Sequence, residues 1–346
     1  MASGESVIYY DSLQEAAWFG GLSPALRGAD MAPLGERGSN LPTIERLLRY
    51  DRPDIVVAVG GEPRLVVEKT SEVPTGHNVT QRFGRLANAV EEGVMIVYML
   101  PFKARKHGAY ASDCFISARL FRALQRMSEI HGVPSLAVEW PSDDRLELVR
   151  DGTEDSEMRE LVGDLVSARF GYDGLPSAKR LESKMASVMN ERARAEPETA
   201  EPPRSVEIVD TERFIDGLGS LRATAKDELL GRLRGRKKTL VYTMEMTPEK
   251  CRREDPYTGT QFLYDYIWCR DGKMPWDKHT NLVLNIPRVS RSRWLEANPN
   301  DPLRKSALWY ATADLIRLSD GLIPCKSLVG PGTARAAGLQ RWVRQS

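Results

Sequence analysis

Most of the short motifs that would name a chemistry outright are missing from this chain. Its four cysteines, Cys114, Cys251, Cys269 and Cys325, lie far apart with no CxxC pair, and its four histidines form no cluster. A zinc site is therefore not expected, and the thiols read as the reduced cysteines of a cytoplasmic protein. Neither a GxGxxG nor a P-loop pattern occurs, so no nucleotide cofactor is expected. No apolar run approaches the ~18 residues a membrane span needs. The opening "MASGESVIYYDS" lacks a basic stretch followed by an apolar one, so neither a membrane segment nor a secretory signal is expected. An excess of one charge sign is also absent: 49 Lys and Arg balance 48 Asp and Glu, a formal net charge of +1. Any nucleic-acid contact must then rest on local basic patches.

What is present is an ordinary globular composition, 41% hydrophobic and 28% charged, over 346 residues. That length exceeds one small core and points to two domains. No internal repeat is found. Composition shifts at "RARAEPETAEPPRS" (192–205), rich in Pro, Glu and Ala and poor in large apolar residues, which reads as a linker. The expected organisation is a first domain over 1–193, a linker over 194–205 and a second domain over 206–346.

In the first half, "DIVVAVGG" and "PRLVVEKT" are β-rich runs meeting at a Gly-Gly-Glu turn, the pattern of a hairpin. "NVTQRFGRLANAVEEG" carries Phe83, Leu86, Ala87 and Val90 at helical spacing, with Gly93 as a stop. "VMIVYMLP" and "VPSLAVEW" read as further strands, and "DCFISARLFRALQRMSEIHG" as a second amphipathic helix. Helical patterns follow around 156–170 and 176–193. In the second half, "TERFIDGLGSLRATAKDELLGRLRGRKK" reads as two helices ending in a basic cluster. "TLVYTMEM", "QFLYDYIWCR" and "TNLVLNIPRV" read as strands, and 301–318 as a C-terminal helix with Leu303, Leu308, Ala311, Leu315 and Leu318 toward a core or subunit interface. Both halves are α/β.

A turn centred on Gly61 makes paired positions sum to about 122, which sets Asp54 opposite Glu68. Directly opposed residues have Cβ atoms roughly 4.5–5.5 Å apart. Two carboxylates there repel one another, unless they are hydrated at an open strand end or a divalent cation lies between them. A helix over 79–92 joining strands 64–70 and 94–100 makes those strands parallel. Ligands in open α/β sheets sit at the carboxyl ends of strands, where Glu68 lies and where "PFKARKHG" brings Lys103, Lys106 and His107. Gln81 and Arg85 would share a face near the start of the crossover helix, an end that favours phosphate.

Pro53-Asp54, a hairpin, Glu68 beside a lysine, then Gln81 and Arg85 together resemble the PD-(D/E)xK nuclease superfamily, especially type II restriction endonucleases. The resemblance covers roughly residues 45–107. It implies a restriction-endonuclease-like core, a central mixed sheet with flanking helices, joined to a second, smaller α/β domain for DNA recognition or dimerisation. It also implies a Mg²⁺-dependent DNA endonuclease, with Mn²⁺ as an alternative ion, cutting double-stranded DNA as a homodimer. Asp54 and Glu68 would bind the metal, joined by the backbone carbonyl of Lys69, and Gln81 belongs to the same catalytic set. Glu45 corresponds to an acid that some members carry on an early helix; a solvated helix face explains it as well. The sequence departs from the pattern at one place: the lysine expected at 70 is Thr70, and Lys69 adjoins Glu68. Alternation would turn Lys69 to the opposite face. Either a β-bulge re-aims Lys69, or Lys103 or Lys106 replaces it, or the site has lost its chemistry. Beside the restriction enzyme stand a nuclease of repair or phage defence without sequence specificity and an inactive nuclease-fold DNA-binding or scaffold protein.

"PTGHN" (74–78) offers Thr75, His77 and Asn78 as donors, for phosphate or for a helix cap. "RLRGRKK" (232–238) holds Arg232, Arg234, Arg236 and Lys237, for a DNA backbone or for a solvated helix end. Arg252, Arg253 and Arg270 are candidates for guanine edges, with Tyr257, Tyr264, Tyr266 and Trp268 lining the surface or packing into a core. Asp255 and Asp265 are a lesser candidate for a second metal site.

Overall fold

A computed structural model describes residues 6–35, 39–199, 201–251, 255–273, 277–299 and 307–325. The chain divides into two compact units, Met1–Ala200 and Glu201–Ser346.

The first unit runs β1 (Ser6–Tyr10), α1 (Leu13–Gly21), β2 (Asp30–Pro33), α2 (Pro42–Glu45), β3 (Ile55–Val59), β4 (Glu62–Lys69), α3 (Gly76–Thr80), α4 (Phe83–Glu91), β5 (Met95–Pro101), β6 (Lys103–Lys106), β7 (Ser112–Phe115), α5 (Ala118–His131), β8 (Ser135–Trp140), α6 (Ser156–Ser167) and α7 (Pro176–Ala195). A six-stranded mixed sheet has the order β2-β1-β3-β4-β5-β8. Its centre is buried on both faces: Ile55, Val56, Val57, Leu65, Val66, Val67, Ile96 and Val97 are all at 0% exposure. This is why their stretches read as unbroken apolar runs rather than alternation. Burying one such side chain contributes about 1.5–3 kcal/mol.

The β3–β4 turn is made by Gly60 and Gly61, both at positive φ (61° and 82°), as a two-residue hairpin turn of this hand requires. Ile55 pairs with Val67 and Val57 with Leu65, so the register around the acids is the one expected from the sequence. The bulge in this ribbon lies between Val57 and Ala58, away from Lys69. Strands β4 and β5 are parallel, as are β5 and β8.

The second unit runs β9 (Val206–Asp210), α8 (Thr211–Asp216), α9 (Asp227–Arg234), β10 (Lys238–Thr243), α10 (Asp255–Tyr264), β11 (Thr280–Ile286), α11 (Arg291–Ala297), α12 (Ala307–Thr312), β12 (Leu315–Leu318) and β13 (Leu322–Pro324). Its five-stranded sheet has the order β13-β12-β11-β10-β9, with β10, β11 and β12 parallel. Under this sheet Phe214, Ile215, Leu218, Leu230 and Leu233 pack against Val283 and Leu315. Each unit is therefore an α/β assembly around its own mixed sheet. No helix among the described residues is long and apolar enough to cross a membrane.

Three local expectations are corrected. "QFLYDYIWCR" is helical: α10 continues into a π-helical turn at Asp265–Cys269. Thr258, Gln261, Phe262, Asp265 and Cys269 are all buried at helical spacing, so a densely aromatic run hid its period. The helix expected over 301–318 is α12 followed by strand β12, which pairs with β11; Leu303 lies outside the described residues. The crossover helix breaks in two, with Gln81 ending α3 and Arg82 opening α4.

Candidate functional site

Asp54 directly precedes β3 and Glu68 nearly ends β4, and their side chains meet. The N–H of Asp54 donates to Glu68 Oε1 at 3.2 Å, and the N–H of Lys69 donates to Asp54 Oδ2 at 2.8 Å. One oxygen of each acid is thus engaged by the opposite strand's backbone. The other two, Asp54 Oδ1 and Glu68 Oε2, both receive Arg85 Nη1, at 3.3 and 3.1 Å. Arg82 Nε lies 3.6 Å from the same Glu68 oxygen. On the far side of its guanidinium, Arg85 directs Nε and Nη2 to Asp51 Oδ2, each at 3.3 Å. Glu68 is at 0% exposure and Asp54 at 7%.

Burial sets the electrostatics. It pushes Glu68 well above the ordinary carboxylate value, and Arg85 opposes that rise. Asp54 is likewise raised by burial, against the Lys69 N–H and the two arginines. For Arg85 burial works downward, but Glu68, Asp51 and Asp54 outweigh it and hold the guanidinium above its usual value.

Arg85, expected to meet DNA, is instead the counter-ion of both acids. Lys69 is a second correction. With no bulge to re-aim it, its ammonium sits over the rings of Trp18, at 4.0 Å, and Trp140, at 4.9 Å. Burial lowers its pKa, against the pull of Asp155 and Glu15. Trp18 is fixed in turn by its Nε1–H bond to Asp155, 2.8 Å long.

The remaining candidates scatter. Gln81 is not brought to Arg85; its amide donates to Glu72 at 3.4 Å. Asn78 closes its own loop, donating from Nδ2 to Val73 O, and its N–H is capped by Thr75. His77 is exposed at the start of α3. Lys103 is exposed on the β6–β7 ribbon, and Lys106 stands 5.7 Å from the ring of Tyr110. His107 bonds Glu147. Glu45 accepts from Asn40.

In the second unit, Arg232 pairs with Glu228, Arg234 pairs with Glu212, and Lys237 is exposed. Arg236 turns inward to Asn281, Asp314 and the carbonyl of Lys278, and Arg270, 1% exposed, pairs with Asp265 and Tyr266. These two arginines therefore hold the second unit together rather than meeting DNA. Asp265 is buried and paired with Arg270 and Lys278. Arg252 and Arg253 lie outside the described residues.

One residue was missed. Glu15, on α1, is pushed up to about 7 by burial and by the charges of Asp54 and Asp11. Helix α1 reaches this neighbourhood because β1 pairs with β3 and the N–H of Asp11 donates to Asp54 O at 2.9 Å. Nothing in the sequence around Glu15 signals that approach.

Among the described residues no group of three or more His, Cys, Asp or Glu side chains is arranged to hold a metal ion. The donor chemistry nevertheless suits a hard cation: two carboxylate oxygens from neighbouring strands converge on one position, and a guanidinium nitrogen holds it. Neither a family model, a curated protein nor a solved structure matches the chain.

Proposed function

We propose that the first unit is a Mg²⁺-dependent DNA phosphodiesterase resembling the PD-(D/E)xK nucleases, acting as a type II restriction endonuclease on double-stranded DNA, as a homodimer in the cytoplasm. The convergence of Asp54 Oδ1 and Glu68 Oε2 on one cation position, at the carboxyl end of a strand with a parallel neighbour, carries this reading. Those two oxygens would hold the ion, with Mn²⁺ as an alternative. The ion would supply Lewis-acid polarisation of a phosphodiester and a more acidic water. The chain's own part is positional: backbone donors fix both acids, and Arg82 stays paired with Glu68.

The second reading, a nuclease-fold protein that binds DNA or scaffolds a complex without cutting, is favoured by Lys69, whose ammonium is held over two indoles. Incubation of the protein with plasmid and Mg²⁺, beside an EDTA control, separates them. Discrete fragments lost in EDTA support the restriction reading, a smear supports a non-specific nuclease, and intact plasmid supports the binding module.

A further inference from the structure

We infer that Arg85 is a resident counter-ion that a divalent cation has to displace in order to enter between Asp54 and Glu68; this rests on the metal-dependent reading above. Each acid has two oxygens. Asp54 Oδ2 and Glu68 Oε1 are taken by backbone N–H groups of the opposite strand. The two oxygens left for a cation are the two that Arg85 Nη1 already holds. A metal held by these two oxygens therefore competes with this nitrogen for the same position between the acids.

The geometry also provides for the displaced charge. Asp51 receives Nε and Nη2 from the other edge of the guanidinium, so withdrawal of Nη1 leaves Arg85 paired. The arginine side chain is 19% exposed while Glu68 is at 0%, which puts its way out on the solvent side. Arg82, 3.6 Å from Glu68 Oε2, keeps that buried acid partnered during the exchange. Without a cation, two carboxylates this close and this dry would repel strongly. Arg85 removes the repulsion in the ion-free protein. Apparent metal affinity is then reduced by the small fraction of molecules in which the arginine has swung away.

The test uses Mn²⁺ alone, read as loss of the free-ion EPR signal on the full chain. Arg85→Met, shown to be folded by circular dichroism, is expected to bind Mn²⁺ at least about tenfold more tightly than wild type. Adding Glu68→Gln should abolish that gain. Equal affinities in wild type and Arg85→Met would overturn the displacement and leave a metal site between the acids standing. No binding to either protein would overturn both the displacement and the metal reading. Wild type supplies a second measurement should Arg85→Met not fold: saturating Mn²⁺ is expected to raise phenylglyoxal labelling of Arg85, mapped by mass spectrometry. Bound Mn²⁺ with unchanged labelling would overturn the proposal.

Discussion

The main-chain N–H of Asp54 donates to Oε1 of Glu68, and the return bond runs from the N–H of Lys69 to Oδ2 of Asp54. The two acids are aimed by the strands' own backbones, so their directions are set before any ligand arrives. Burial at 0% exposure makes an ionised Glu68 costly without the guanidinium beside it.

That cost predicts a strong coupling. Arg85→Met leaves two buried acids short of a partner and is expected to destabilise the first unit by about 3–5 kcal/mol. Glu68→Gln in the same chain should recover part of that loss, with a coupling energy of about 1–3 kcal/mol in a urea double-mutant cycle. Simple additivity of the two substitutions would show that the bonds at 3.1 and 3.3 Å carry little energy.

Glu15 gives the pH prediction. Its pKa rises from 4.5 to about 7 in the fold, so the folded chain binds this proton more tightly than the unfolded chain does. Its contribution to stability is complete below pH 4.5 and is lost as the pH climbs through about 7. Glu15→Gln should match wild type at the acid end and be the more stable protein above pH ~7.5, read as urea midpoints. An equal gain at both ends would contradict the assignment.

Lys69 is predicted to act through its tryptophans. Lys69→Met should alter tryptophan emission and cost about 0.5–2 kcal/mol through the lost cation–π contacts. Any cleavage activity should fall by much less than the roughly 10²–10⁴-fold that losing a proton-transfer group costs. A collapse of cleavage with stability intact would return Lys69 to the catalytic set.

The basic residues of the second unit should separate by burial. Arg270→Ala removes one of the two cations paired with the buried Asp265, leaving Lys278, and is expected to lower stability by about 3 kcal/mol. Joint replacement of Arg232, Arg234 and Lys237 by Ala should leave stability nearly unchanged. It should also flatten the salt dependence of binding to duplex DNA by up to about three units of slope. An unchanged slope would remove these residues from any DNA surface.

The hairpin was legible because two adjacent glycines fix a two-residue turn, and strand pairing from there is arithmetic; Asp54 and Glu68 follow from it. The alternation that turns Lys69 away from Glu68 was legible for the same reason. Arg85 was misread because helical spacing tells which residues share a face, not whether a buried acid faces them from the sheet. Gln81 was misread because the break at Arg82 depends on how two short helices dock. Glu15 was invisible: 39 residues separate it from Asp54, and only the pairing of β1 with β3 closes that distance. The Asp265 region reads as strand because its dense run of aromatics hides the helical spacing of its buried residues.

The most direct test of the central claim is single-turnover cleavage of a DNA duplex with Mg²⁺ by wild type and by Asp54→Asn, which keeps the side chain's shape and removes its charge. Cutting by wild type that falls at least about 100-fold in Asp54→Asn, with folding intact by circular dichroism, is the predicted result. Cutting at the same rate by both proteins would contradict it.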